Sequence, residues 1–237
     1  MSERSEFELP YHLESLVPTV DQILRALDGR LYSYKVDTEF VRVVDDEMHV
    51  ASASPTAAHR FGPPLELVPP SGLLPFTWLY MATNELVAAW ESQIVLNNHG
   101  AGNGFHITRR ALDSGVIATV SFARELRLWN LGVDHSSRLG IHDTVSSSDH
   151  EACQWIGLRI REAMLTLRPD RRPDGFVYPS RRVKGFPTLA LGDWAVDELF
   201  KGSKKKIQPF HSSQIYRQFT ADPMLTSPPE LDTDRLK

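Results

Sequence analysis

Glu91 occupies a position where a carboxylate can do chemistry. At about 100° per residue it falls on the flank of an apolar helical face made by Leu86, Val87, Trp90 and Ile94, one turn from Val87 and from Ile94. A carboxylate placed there is partly desolvated yet accessible, which suits a working acid. Other reactive residue types lack such support. Cys153 is the single cysteine, lies beside the buried stripe of a long helix and has no His and Asn partners in view, so it reads as an inert core thiol. His135, His142 and His150 are spaced by seven and eight residues, which misses the usual zinc-ligand patterns, and no metal site is expected. The glycines between Asn97 and Gly104 do not form a GxGxxG loop.

The elements that must position Glu91 are legible from periodicity and breakers. Thr77 to Ala82 reads as a short strand, and Thr83 can cap the helix that carries Glu85 in its first turn and Glu91 further on. Upstream, Val20, Ile23, Leu24 and Leu27 make a short amphipathic helix behind Pro18 and Thr19, stopped by Gly29. Leu31 to Val44 reads as strand, with Phe40 and Arg42 on one face and Val41 and Val43 on the other. Seven prolines and glycines from Gly62 to Pro75 exclude regular structure there and predict a long ordered loop. Val116 to Phe122 and Leu126 to Leu131 are further strands. Ser148 with Glu151 forms a capping box ahead of a long helix whose buried stripe is Ala152, Ile156, Ile160, Ala163, Met164 and Leu167.

Gly175 to Tyr178 is a short apolar strand stopped by Pro179 and Ser180, Thr188 to Leu191 is another, and Trp194 to Phe200 is a short helix. Short strands interspersed with helices, without steady βαβ alternation, predict an α+β (mixed α/β) domain and not a doubly wound sheet. The expected organisation is a helical extension over 1–30, one domain over 31–202 and a polar, loosely attached tail over 203–237 that includes the basic run Lys204, Lys205, Lys206.

Composition excludes several function classes. With 26 Lys and Arg against 30 Asp and Glu, the formal net charge of -4 offers phosphate backbones no global attraction, so direct nucleic-acid binding is not expected. No apolar stretch approaches the roughly 20 residues of a membrane span. One cysteine and a polar start without a signal-peptide core place the expected location in the cytoplasm.

Taken singly, Arg42 reads as a strand arginine reaching solvent, Tyr80 as a core aromatic, Glu91 as a solvated helix residue and Ser180 as the end of a turn. Their order changes this. Arg42, then Tyr80, Met81, Ala82 with Glu91 eleven positions after the tyrosine, then Cys153, Gln154, Trp155, Ile156, Gly157, then Asp174 to Ser180 resemble, over residues 40–200, the RES family named for Arg, Glu and Ser. Where the family has a Gly-Gly-Arg-Trp-Asn-Pro type of stretch, this chain has His59, Arg60, Phe61, Gly62, Pro63 and Pro64, so Arg60 takes the place of a second arginine while the tryptophan and asparagine are absent.

The resemblance implies an ADP-ribosyltransferase-like fold of short twisted sheets with surrounding helices, acting on NAD as substrate with no bound cofactor. Cleaving the bond between nicotinamide and ribose builds an oxocarbenium-like centre that Glu91 would stabilise. Tyr80 would face the flat nicotinamide cation, Arg42 and Arg60 the pyrophosphate, and Ser180 would donate to a phosphate, either that of NAD or inorganic phosphate as co-substrate. The implied activity is toxin-like NAD phosphorolysis or hydrolysis. Protein ADP-ribosylation and an inactive RES-like binding module are the alternatives. The implied partner is a helix-turn-helix antitoxin of the Xre type; homo-oligomerisation stays open.

Overall fold

The computed structural model describes residues 8–98 and 103–229, which leaves part of the glycine-bearing stretch from Asn97 to Gly104 outside the described residues. Among the described residues the elements run α1 (Val20–Leu27), β1 (Leu31–Tyr34), β2 (Glu39–Val44), β3 (Trp78–Ala82), α2 (Glu85–Glu91), β4 (Val95–Asn97), β5 (Phe105–Ile107), α3 (Arg109–Ser114) and β6 (Val116–Ser121). They continue with β7 (Leu126–Asn130), α4 (Val133–Arg138), α5 (His142–Ser146), α6 (His150–Thr166), β8 (Gly175–Pro179), β9 (Pro187–Gly192), α7 (Asp193–Phe200), β10 (Lys204–Pro209) and α8 (Gln214–Thr220). The chain is of the α+β class. None of these helices is long and apolar enough to cross a membrane.

Local signals explain most boundaries. Thr19 opens α1 through a reciprocal capping box with Gln22, and Gly29 takes a φ of 73° just beyond its end. The stretch from Leu31 to Val44 is two strands, because the chain turns between them with Asp37 at a φ of 61°. Two expected caps move by one residue. Asn84, not Thr83, caps α2 by accepting from Val87 N at 2.9 Å, and Asp149, not Ser148, caps α6 by accepting from Ala152 N at 3.1 Å. In each case the longer side chain carries a carbonyl or carboxylate oxygen to the orphan N–H groups. Helix α2 ends at Glu91: Gln93 adopts a φ of 61°, and Ile94 therefore leads into β4 instead of continuing the helical face.

Eight strands form one sheet in the order β1-β7-β8-β9-β3-β2-β6-β10, with β7 and β8 parallel and the other neighbours antiparallel. The sheet curls, since Tyr34 of β1 meets Phe40 of β2 at 5.0 Å between ring centroids although four strands lie between β1 and β2 in the sheet. One face, with Phe40, Leu79, Met81, Val120, Leu128, Val177 and Leu189, packs on α7 through Ala195 and Leu199. The opposite face carries two cores. Trp78, Trp129, Phe176 and Ala190 pack beneath α1 and α6, while Val41, Val43, Ala82 and Ile117 pack beneath α2, α3 and α8. The predicted split of Phe40 from Val41 and Val43 is therefore realised, and so is most of the α6 stripe, with Ala152, Ile156, Ile160, Ala163 and Met164 fully buried; Leu167 falls one residue past the helix and is partly buried.

The segment before β1 belongs to the body of the fold: Leu13, Val17, Ile23 and Leu27 are buried in the first of those two cores. The loosely attached tail expected over 203–237 is corrected in the same way for its described residues, the last eight lying outside them. Lys204 to Pro209 pairs along the whole of β6, and Phe210, Ile215 and Phe219 are buried behind it. Three lysines can occupy an edge strand because their side chains stay in water while the backbone does the pairing.

Candidate active site

The site opens where the sheet is weakest. Strands β2 and β3 share a single bridging pair, Val41 with Ala82, and splay apart before it. Arg42 fills the gap. Its Nη1 donates to the Tyr80 carbonyl at 2.7 Å, its Nε to the His49 carbonyl at 3.1 Å and its Nη2 to the Ser52 carbonyl at 2.9 Å. A planar fork of donors replaces the missing ladder bonds and ties the segment after β2 to β3. Burial pushes the Arg42 guanidinium down to about 10, against the raising influence of Asp45.

Glu91 and Ser180 meet across the mouth of this gap. The Ser180 hydroxyl donates to Glu91 Oε1 at 2.6 Å and accepts from Val183 N at 2.9 Å, while Arg182 N makes a longer contact, 3.4 Å, to the same Glu91 oxygen. Ser180 itself is anchored, with its N–H on the Phe186 carbonyl at 2.8 Å, and is buried. The other carboxylate oxygen of Glu91 has no hydrogen-bond partner among the described residues, so its lone pairs remain for a ligand. The hydroxyl expected to serve a phosphate is thus directed at Glu91, and in this geometry Ser180 positions the carboxylate.

Tyr80 stands between the two cores of the helical face. Its hydroxyl end is buried and accepts from Phe61 N at 3.0 Å, and its ring flank lines the cleft. Loss of solvent around the phenol raises its pKa strongly. Tyr178 beside it is raised for the same reason, and the nearby Glu91 charge adds to both. The loop that bears Phe61 is pressed against α6: a Cβ on Gly157 would stand 2.1 Å from the Phe61 carbonyl oxygen, so only glycine admits this approach. That contact seats Arg60. Its Nη2 donates to the carbonyls of Thr144 and Val145, at 3.3 and 2.8 Å, whereas its buried Nε and Nη1 have no partner among the described residues. Unpaired donors on a buried cation are costly, and an anion is the natural remedy.

These residues line one cleft of about 780 Å³, within the range of small-molecule sites. Arg42, Arg60, Tyr80 and Glu91 all reach it, and Ser180 stands directly behind Glu91. Sequence reasoning missed other wall residues: His59, Tyr178, Arg181, Arg182, His150 and, at another part of the wall, Asp45 paired with Arg110 at 2.7 Å. The signal for two of them was the doublet Arg181-Arg182 directly after Ser180. Arginines outnumber carboxylates along the wall. Their mutual repulsion is visible at Arg181, whose pKa is lowered by burial and then by Arg60 and Arg182. His59 and His150 are also lowered, by partial desolvation first and then by neighbouring arginines.

The site therefore belongs to an α+β protein with an arginine-rich cleft and a carboxylate, Glu91, held at its wall by Ser180. No protein-family model, curated protein or solved structure matches the chain.

Proposed function

We propose that this protein binds NAD and cleaves the bond between nicotinamide and ribose, as its resemblance to the RES family implies. The observation that carries the reading is the Glu91 carboxylate, held by Ser180 at 2.6 Å with one oxygen unengaged, in a cleft walled by Tyr80 and arginines. When the C–N bond breaks, its electron pair goes to the nicotinamide ring nitrogen, and the ribose carbon becomes cationic. Glu91 stabilises that cation and holds a ribose hydroxyl; an acceptor oxygen then closes the new bond. Tyr80 supports the flat pyridinium, and Arg60, with its unpaired donors, serves the pyrophosphate. Arg42 contributes mainly by holding β2, β3 and the segment leading to Arg60 in place.

Water, phosphate or a protein side chain can each act as the acceptor of this chemistry. A helix-turn-helix antitoxin remains the partner that the resemblance implies, and an acidic segment is what such a cleft would admit. The test is incubation of purified protein with NAD, with and without phosphate, followed by product analysis. Release of nicotinamide supports the reading; ADP-ribose, its phosphorylated form or a protein adduct identifies the acceptor. No nicotinamide under any of these conditions defeats it. The commitment of Arg42 to three backbone carbonyls favours, as a second reading, a non-catalytic module, which predicts NAD binding without nicotinamide release.

A further inference from the structure

We propose that His59 is a substrate-reading residue that hydrogen-bonds the carboxamide of nicotinamide in the corner it forms with Tyr80. The inference rests on the NAD reading above and assigns a residue to the leaving group. His59 immediately precedes Arg60 on the cleft wall, and its ring lies 5.8 Å from that of Tyr80, centroid to centroid, with the planes 81° apart. A flat group held in that corner meets an aromatic wall and a polar rim. The corner opens on the same cleft that Glu91 and Arg60 line.

The imidazole is otherwise unemployed. His59 is exposed, and neither of its ring nitrogens makes a hydrogen bond among the described residues, while Arg42 and His150 lie near enough for their charges to act on it. Partial desolvation, Arg42 and His150 all favour its neutral form. A neutral imidazole offers one N–H donor and one nitrogen acceptor, the complement of a carboxamide with its carbonyl oxygen and its NH2 group. A protonated ring would present two donors and place a second positive charge beside the pyridinium. The arginine-rich wall thus serves the pyrophosphate, while partial desolvation first, and then Arg42 and His150, keep the leaving-group contact uncharged.

The test is equilibrium titration of wild type, His59→Ala and His59→Asn with nicotinamide and, separately, with ADP-ribose, which lacks the nicotinamide. Losing one such hydrogen bond is expected to weaken nicotinamide binding about tenfold in His59→Ala while ADP-ribose affinity stays within about twofold. His59→Asn keeps a donor and an acceptor at that position and is expected to recover part of the loss. The proposal is overturned if nicotinamide binds His59→Ala as it binds wild type, or if ADP-ribose affinity falls equally, which would make His59 an adenosine contact or a support of the wall. Wild-type protein that binds neither ligand sinks the NAD reading itself. Wild type that binds both, beside an indistinguishable His59→Ala, sinks the His59 assignment alone.

Discussion

The hydroxyl of Ser180 donates to Oε1 of Glu91 at 2.6 Å, joining the turn after β8 to the last residue of α2 across 89 positions of sequence. Hydrogen bonds to a charged partner contribute about 1.5–3 kcal/mol, and this one also fixes the carboxylate rotamer. Ser180→Ala is expected to lower NAD turnover by about tenfold to a hundredfold while leaving NAD affinity nearly intact, with partial recovery in Ser180→Thr. Initial rates and a ligand titration separate the two quantities. Unchanged turnover in Ser180→Ala would detach this serine from the work of Glu91.

Glu91→Gln preserves the volume at the end of α2 and keeps an oxygen to accept from Ser180. It removes the charge, which matters once the ribose carbon becomes cationic. The expected outcome is a native melting profile, NAD binding close to wild type and turnover reduced by at least about a hundredfold, the scale of losing one electrostatic contact to a transition state. Wild-type turnover in Glu91→Gln would remove the carboxylate from the mechanism.

Arg42→Ala leaves the carbonyls of His49, Ser52 and Tyr80 without their donor and opens the splay between β2 and β3. A loss of about 3 kcal/mol of stability is expected, because the part-buried carbonyls of His49 and Tyr80 cost about 1–3 kcal/mol each when unpaired, while water serves the exposed Ser52 carbonyl. Arg42→Lys is expected to rescue little, since one ammonium does not span three carbonyls. Denaturant titration measures both. An Arg42→Ala protein as stable as wild type would return Arg42 to a purely ligand-facing role.

Gly157→Ala introduces a methyl 2.1 Å from the Phe61 carbonyl oxygen and 2.8 Å from the Phe61 Cα, and backbone cannot rotate away as a side chain can. The expected cost is about 1–3 kcal/mol of overpacking. Because Phe61 N donates to the Tyr80 hydroxyl and Arg60 precedes it, NAD affinity should fall together with the melting temperature. A variant that melts lower yet binds NAD unchanged would show that the Phe61 loop does not govern the site.

What the sequence by itself determined was everything set by near neighbours. The helix α1 between Thr19 and Gly29, the strands β6 and β7, most of the stripe of α6 and the stop at Pro179 follow from side chains that act within four residues, and so they were legible. So was the order of Arg42, Tyr80, Glu91 and Ser180, because an order is a property of the chain. Their relationships were not. That Arg42 gives its donors to carbonyls follows from the splay of β2 from β3, which no local pattern encodes; that the Ser180 hydroxyl donates to Glu91 follows from the placement of β8 and β9 between β7 and β3. The lysine-rich segment from Lys204 read as a tail because an edge strand can be polar on its exposed side chains and still be held by its backbone. Tertiary structure decided these points, since strand partners and the burial of a charge are set by segments far away in sequence, whose approach is fixed only when the cores close.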